Sequence, residues 1–277
     1  MKLLMAKAGE GAGDMVLALN IAHICARYFN TDVELEYHWR EKEDFKVMPQ
    51  DPETVAERMD DMNSRMANSH QVEVIHLFDS DIFYTQGSPS MWEETKEALR
   101  ERALFKPKRF FPDVDALMNC ERRAQTLRYL WSEKPTTTKT IVTWDSSENS
   151  KVLRASKKTR NDWGYMRDYI QDRFPEHKII SLSYRDSFDT AYNAIRDCEF
   201  CFGYDGMWHL VAENFGKLLV VISEYESKLS ATPNASMHTS KKILSYIDLL
   251  SDTQFLRSEQ TRMREIHQRE MEWFDET

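Results

Sequence analysis

The chain is poor in cysteine, in positive charge and in long apolar stretches. Its four cysteines, Cys25, Cys120, Cys198 and Cys201, are too sparse and scattered for a disulfide framework, which points to a reducing cytoplasm. Cys198-x-x-Cys201 has no second ligand pair and leads into an apolar strand, so it reads as core rather than as a zinc site. Lysine and arginine number 37 against 46 aspartates and glutamates. The resulting net charge of −9 and pI near 5.5 argue against a general nucleic-acid coat or an anionic-membrane binder, while leaving room for a local basic groove. No apolar run approaches the ~20 residues that span a bilayer. The first residues, which run directly into a candidate strand, do not form a signal-peptide pattern. Internal repeats and low-complexity tracts are also missing.

What is present is ample material for a core. The 277 residues are 41% hydrophobic and 30% charged, enough for one large domain or two of about 100–150 residues. Residues 2–6 read as a strand, 9–13 as a glycine-rich loop, and Asp14 opens a helix running to about residue 29. On that helix Leu17, Ile21, Ile24 and Tyr28 share an apolar face, and Asn20, His23 and Arg27 form a narrow polar stripe. Alternation over 33–38 predicts a half-buried strand. A polar helix over 52–68, a strand over 72–78, a loop over 79–90 and helices over 91–104 and 112–130 complete the first half. Residues 132–138, with Pro135 and a threonine run, read as a linker.

The pattern then restarts. Strands are expected at 140–144 and 177–183, helices at 162–174 and 187–196, and a polar loop at 145–160. The stretch 200–222 follows as an apolar run, a turn over Gly203-Tyr204-Asp205-Gly206, a helix from Met207 to Phe215 stopped by Gly216, and an apolar strand over 218–222. Residues 223–239 read as irregular, and 241–250 and 254–274 as helices. The simplest account is α/β: two doubly wound, Rossmann-like domains, 1–135 and 136–277, facing a cleft, with the C-terminal helix packing back on the body.

Several groups of residues are chemically suggestive. The glycine loop fails as a P-loop, because Asp14 and Met15 follow Gly13. It also fails as a dinucleotide fingerprint, because Asp14 occupies the place of the third glycine after Gly11, and a carboxylate there repels a pyrophosphate. Asp14 is then either a helix cap or a carboxylate placed to accept a proton. Lys151, Arg154, Lys157, Lys158 and Arg160 form a run without an acid after a strand, fit either to hold a diphosphate or simply to be solvated, with Ser146 and Ser147 as hydroxyl donors. Asp205, Gly206, Met207 and His209 stand where a strand turns into a helix, the usual place for a phosphate in α/β units, although a cap and a turn explain the first two equally well. Asp79 and Asp81 have a spacing that serves a divalent metal, yet no third ligand is identifiable and loop capping also accounts for them. Trp144, Trp163 and Tyr204 are either stacking surfaces for a base or core.

Two of these motifs, in this order, resemble the heptosyltransferase-like glycosyltransferases, a two-domain family of the GT-B fold. One is the opening strand, glycine loop and Gly13-Asp14 leading the first helix. The other is Asp205-Gly206-Met207-Trp208-His209, followed by Ala212 to Gly216 and an apolar strand, with one residue fewer between aspartate and glycine than the family's Asp-Ser-Gly-x-x-His signature. The two motifs cover about a tenth of the chain. The resemblance implies an inverting glycosyltransferase that needs no metal and no cofactor. Its nucleotide-diphosphate sugar meets Ser146, Lys151, Arg154, Lys157, Asp205, Gly206, Met207 and His209, and Asp14 acts as general base. Acceptor contacts are expected at Gly11, Gly13, Asp79, Asp81 and the polar helix around 60–65. The Met-rich, polar composition suits a bacteriophage protein acting in the host cytoplasm. Phage enzymes of this fold glycosylate hydroxymethylated bases in duplex DNA, which makes DNA one acceptor and a saccharide the other. Arginine- and lysine-containing clusters at 102–109 and 122–128 would then meet the DNA backbone. A non-catalytic nucleotide-sugar-binding module is the alternative, and it has no use for Asp14.

Overall fold

The computed structural model describes residues 2–9, 12–39, 52–78, 130–144, 167–183, 186–204, 206–222, 235–238 and 243–275. They show a mixed α/β chain with two parallel sheets. The chain divides into two compact units, and among the described residues the boundary falls between Ser132 and Glu133. The helices expected at 91–104 and 112–130 and the basic clusters at 102–109 and 122–128 lie outside the described residues.

In the first unit β1 (Lys2–Gly9), β2 (Asp32–Trp39) and β3 (Val72–Phe78) form a parallel sheet in that order. Helices α1 (Ala12–Tyr28) and α2 (Pro52–Ser64) make the crossovers that parallel pairing requires. The first strand runs three residues beyond the expected end, and α1 starts two residues before Asp14. Asp14 is therefore the third residue of the helix rather than its cap. Helix α1 is buried on nearly all sides through Met15, Val16, Leu19, Ala22, Cys25 and Ala26. Two of the three residues of the expected polar stripe, Asn20 and His23, are buried as well, and only Arg27 is exposed. Asn30, in the left-handed conformation at φ 44°, ends this helix as asparagine can.

The alternation of β2 misleads in the same direction. Val33, Leu35 and Tyr37 are buried, and so are Glu34 and Glu36. A strand with neighbours on both edges is covered more fully than alternation alone implies.

The second unit is a five-stranded all-parallel sheet in the order β5-β4-β6-β7-β8, with β4 Thr140–Trp144, β5 Lys178–Leu182, β6 Phe200–Tyr204, β7 Leu218–Ile222 and β8 Ala235–His238. A helix over 167–173 (α3), α4 (Phe188–Asp197) and α5 (Met207–Asn214) alternate with the strands, and α6 (Ile243–Ser251) and α7 (Thr253–Asp275) follow. Three corrections arise here. Gly203 and Tyr204 belong to β6 and not to a turn. Residues 235–238, read as irregular, add β8 to the edge beside β7. The supposed linker is bound to the second unit: Thr136 and Thr138 donate through their amides to the carbonyls of Arg196 and Asp197 (3.0 and 2.9 Å), and Arg196 pairs with Glu133.

The core explains why these segments are ordered together. Ile141, Phe200, Phe202, Leu218 and Val220 pack with Ile170 and Phe174, with Ile247 and Leu250 of α6, and with Leu256 and Met263 of α7. The C-terminal helix thus packs on this unit's core through Leu256 and Met263, with Phe255 partly buried against it, and a fully buried side chain of this kind contributes about 1.5–3 kcal/mol. Ser187 caps α4, its hydroxyl accepting from the Thr190 amide at 3.2 Å. Gly216, at φ 63°, ends α5 in a Schellman arrangement: its amide donates to Glu213 (2.8 Å) and that of Lys217 to Ala212 (3.1 Å).

Candidate functional site

Strand order locates a switch point in the second unit. From β4 the chain first moves outward to β5, then returns across β4 to lay β6 on its other edge, and continues outward through β7 and β8. The direction of winding reverses between β4 and β6. In α/β sheets such a switch point is where ligands commonly bind, outside the carboxyl ends of the strands, which here are Trp144 and Tyr204.

Packing fixes that end of the sheet. The Trp144 indole donates through Nε1 to the Tyr204 carbonyl at 2.6 Å. Its ring lies flat against Gly203, where an added Cβ would come within 2.3 Å of the indole, so a glycine is required. Trp144 and Tyr204 are both buried, which assigns them to the core and not to a stacking surface. Thr143, also buried, has its hydroxyl 3.2 Å from that of Ser181 on β5.

Gly206 stands at the cap position of α5. Its φ of 161° is extended backbone open to any residue, and an added Cβ would meet nothing within 4 Å. Neither the turn nor the packing demands glycine, which removes the turn as the explanation between the two alternatives for this residue. The position leaves open space at the start of a helix beside the switch point.

Helix α5 follows with Met207 half-buried and Trp208 stacked on Phe188 at 6.2 Å between centroids. His209, expected beside a phosphate, is buried, and its Nε2 lies 3.1 Å from Oε1 of Glu213, one turn on in the same helix. Glu213 was missed in the sequence reading, although a His-x-x-x-Glu spacing places the two residues on one helical face.

Of the other expected site residues, Gly13 is the second and Asp14 the third residue of α1. Gly11, Asp79, Asp81, Ser146, Lys151, Arg154, Lys157 and Asp205, with Trp163, lie outside the described residues. In chain order Asp79 follows β3 directly and the basic run follows β4. In the polar 60–65 region, Arg65 donates to Asp61 at 3.0 Å and His76 of β3 reaches Asp60 at 2.9 Å.

The opposite, amino-terminal end of the second sheet holds a different polar group. Lys217, buried just before β7, donates from Nζ to the carbonyls of Cys198 (2.6 Å) and Thr136. Burial lowers its pKa and pushes that of the Cys201 thiol well up. Cys198 and Cys201 are both buried, with sulfurs 3.3 Å apart. Among the described residues no three potential metal ligands gather, and no helix is long and apolar enough to cross a membrane. The chain matches no protein-family model, no curated protein and no solved structure.

Proposed function

We propose that this chain is an inverting glycosyltransferase of the two-domain GT-B kind, working without a metal or a cofactor on a nucleotide-diphosphate sugar. The observation that carries the reading is the switch point between β4 and β6, with an open glycine and a histidine in the helix that begins beside it. These residues are the part of the sequence that resembles the family's second motif.

In this reading the donor diphosphate lies at Asp205, Gly206, Met207 and His209, with Ser146, Lys151, Arg154 and Lys157 as further donors and cations. Asp14 accepts the proton of the acceptor hydroxyl, with Gly11, Gly13, Asp79 and Asp81 on the acceptor side. The hydroxyl oxygen attacks the anomeric carbon from the face opposite the leaving group. The carbon–oxygen bond to the diphosphate breaks, and the configuration inverts. Negative charge gathers on the departing diphosphate, where fixed donors and cations stabilise it without reorganisation. The acceptor is a hydroxymethylated base in phage DNA, with a saccharide as the other candidate. Salt-sensitive binding of duplex DNA supports the first, and binding that ignores salt removes it.

The direct test is a thermal-shift panel of UDP, GDP, ADP, CMP and their sugars, first without metal and then with magnesium. A ligand at 100 times its Kd stabilises by about 2.7 kcal/mol, a shift of a few degrees. One diphosphate standing out without metal supports the proposal. Silence across the whole panel overturns it.

A further inference from the structure

The His209–Glu213 pair is more than helix packing requires. The two side chains are only 9% and 4% exposed, with Nε2 and Oε1 3.1 Å apart. An ionised Glu213 can only accept, which places a proton on Nε2. Withdrawing an acid and a base from water is costly, and an apolar pair of similar volume is often as stable or more so. The packing of α5 is already supplied by Trp208, Val211, Ala212 and Phe215, all buried.

We propose that Glu213 is a positioning residue for His209, orienting the imidazole through Nε2 and holding it protonated, so that the site has a fixed positive charge in the first turn of α5 for an anionic diphosphate. The identity of this ligand rests on the transferase reading. The pairing does not. The elements packed on α5 are α4, β6 and β7. Their ionisable side chains are Asp189, Tyr192, Arg196 and Asp197 on α4 and Cys201 and Tyr204 on β6, with none on β7. Arg196 and Asp197 bond to each other at 2.7 Å at the end of α4 that leads to the amino end of β6.

The test follows the His209 ring by nitrogen-detected NMR in the full chain between pH 5 and 9, alongside Glu213→Gln and Glu213→Asp. Binding of inorganic pyrophosphate is measured at pH 6 and pH 8. The wild-type ring is expected to stay protonated through pH 8, and that of Glu213→Gln to lose its proton at least one pH unit lower. Pyrophosphate affinity should then change little with pH in the wild type and fall about tenfold from pH 6 to pH 8 in Glu213→Gln. Glu213→Asp should restore part of the difference. A ring already neutral at pH 7 in the wild type, or the same titration in Glu213→Gln, overturns the inference. So does pyrophosphate binding that is absent or indifferent to the substitution. Pyrophosphate binding with the expected pH difference, but without response to any nucleotide diphosphate, overturns the transferase reading and leaves the dyad standing.

Discussion

Each unit carries a buried histidine on a helix packed against a parallel sheet, and the two are accommodated in different ways. His23 of α1 has Nδ1 3.0 Å from the Ala67 carbonyl and Nε2 2.7 Å from Oδ1 of Asn63, whose amide nitrogen donates to the Val72 carbonyl at 2.9 Å. These acceptors favour the protonated ring, yet burial outweighs them and lowers the His23 pKa to about 4. His209 has a carboxylate at 3.1 Å instead. A neutral network holds a segment in place, here the turn between α2 and β3. An acid–base pair inside a protein is costly to bury, and under the proposal above it keeps a charged ring available to a ligand. His23 is then architectural, and His209 is the residue that the proposal puts to the test.

The largest effect that would sharpen this contrast lies outside both histidines. Asp14→Asn should lower transfer by about 10²–10⁴-fold, the usual worth of a general base, while donor binding stays nearly unchanged. An active variant would remove Asp14 from the proposed chemistry. In the His23 network, His23→Ala should cost about 3 kcal/mol in denaturant melts, from the cavity and the buried acceptors it deserts.

His23 also sets an acid limit on stability. In the unfolded chain it binds a proton near pH 6.5, whereas in the folded chain it does so only near 4. Its contribution is therefore complete above pH 6.5 and is lost as the pH falls towards 4, by on the order of 3 kcal/mol. Melts of wild type and His23→Gln across this window should converge as the pH drops. A constant gap would mean that the ring is charged in the fold, and the contrast with His209 would fail.

Gly203→Ala should destabilise the second unit by about 1–3 kcal/mol, since the added methyl must displace the Trp144 indole. Gly206→Ala is the smallest change in stability, within about 1 kcal/mol of wild type, because nothing meets the new Cβ while alanine is the poorer cap residue. It should nevertheless weaken diphosphate binding in a calorimetric titration. Unaltered binding would mean that the open space at the start of α5 is not used.

The sequence made some of this legible. Strands β3, β4 and β7 have the bounds expected from their apolar runs, and Gly216 stops α5 as expected. These features depend on local composition, on β-branched and apolar density or on a residue that tolerates positive φ. Other features depend on partners distant in the chain. Ala235-Ser236-Met237-His238 has no strand-like run, and it becomes β8 only by pairing beside β7. Glu34, Glu36, Asn20 and His23 have polar identities that predict exposure, and their burial comes from being central in the unit. Within the candidate site, the place of Gly206 and His209 after a strand could be read directly. Their position at a reversal of winding could not, because strand order is not written in any one segment. Glu213 was visible as a spacing and lacked only a reason to look.

The route from β4 to β6 has a further consequence for how the second unit is made. Ile141 pairs with Phe200 only after α3, β5 and α4 have been laid down between them. Pairings so distant along the chain pay the entropy of closing a long loop before they return any burial, which slows folding. A ribosome-bound chain that ends before β6 has β4 open on one edge, without Phe200 and Phe202 for its core and without a switch point. The switch point and the core of this unit therefore come into being together, and no fragment that ends before β6 has either.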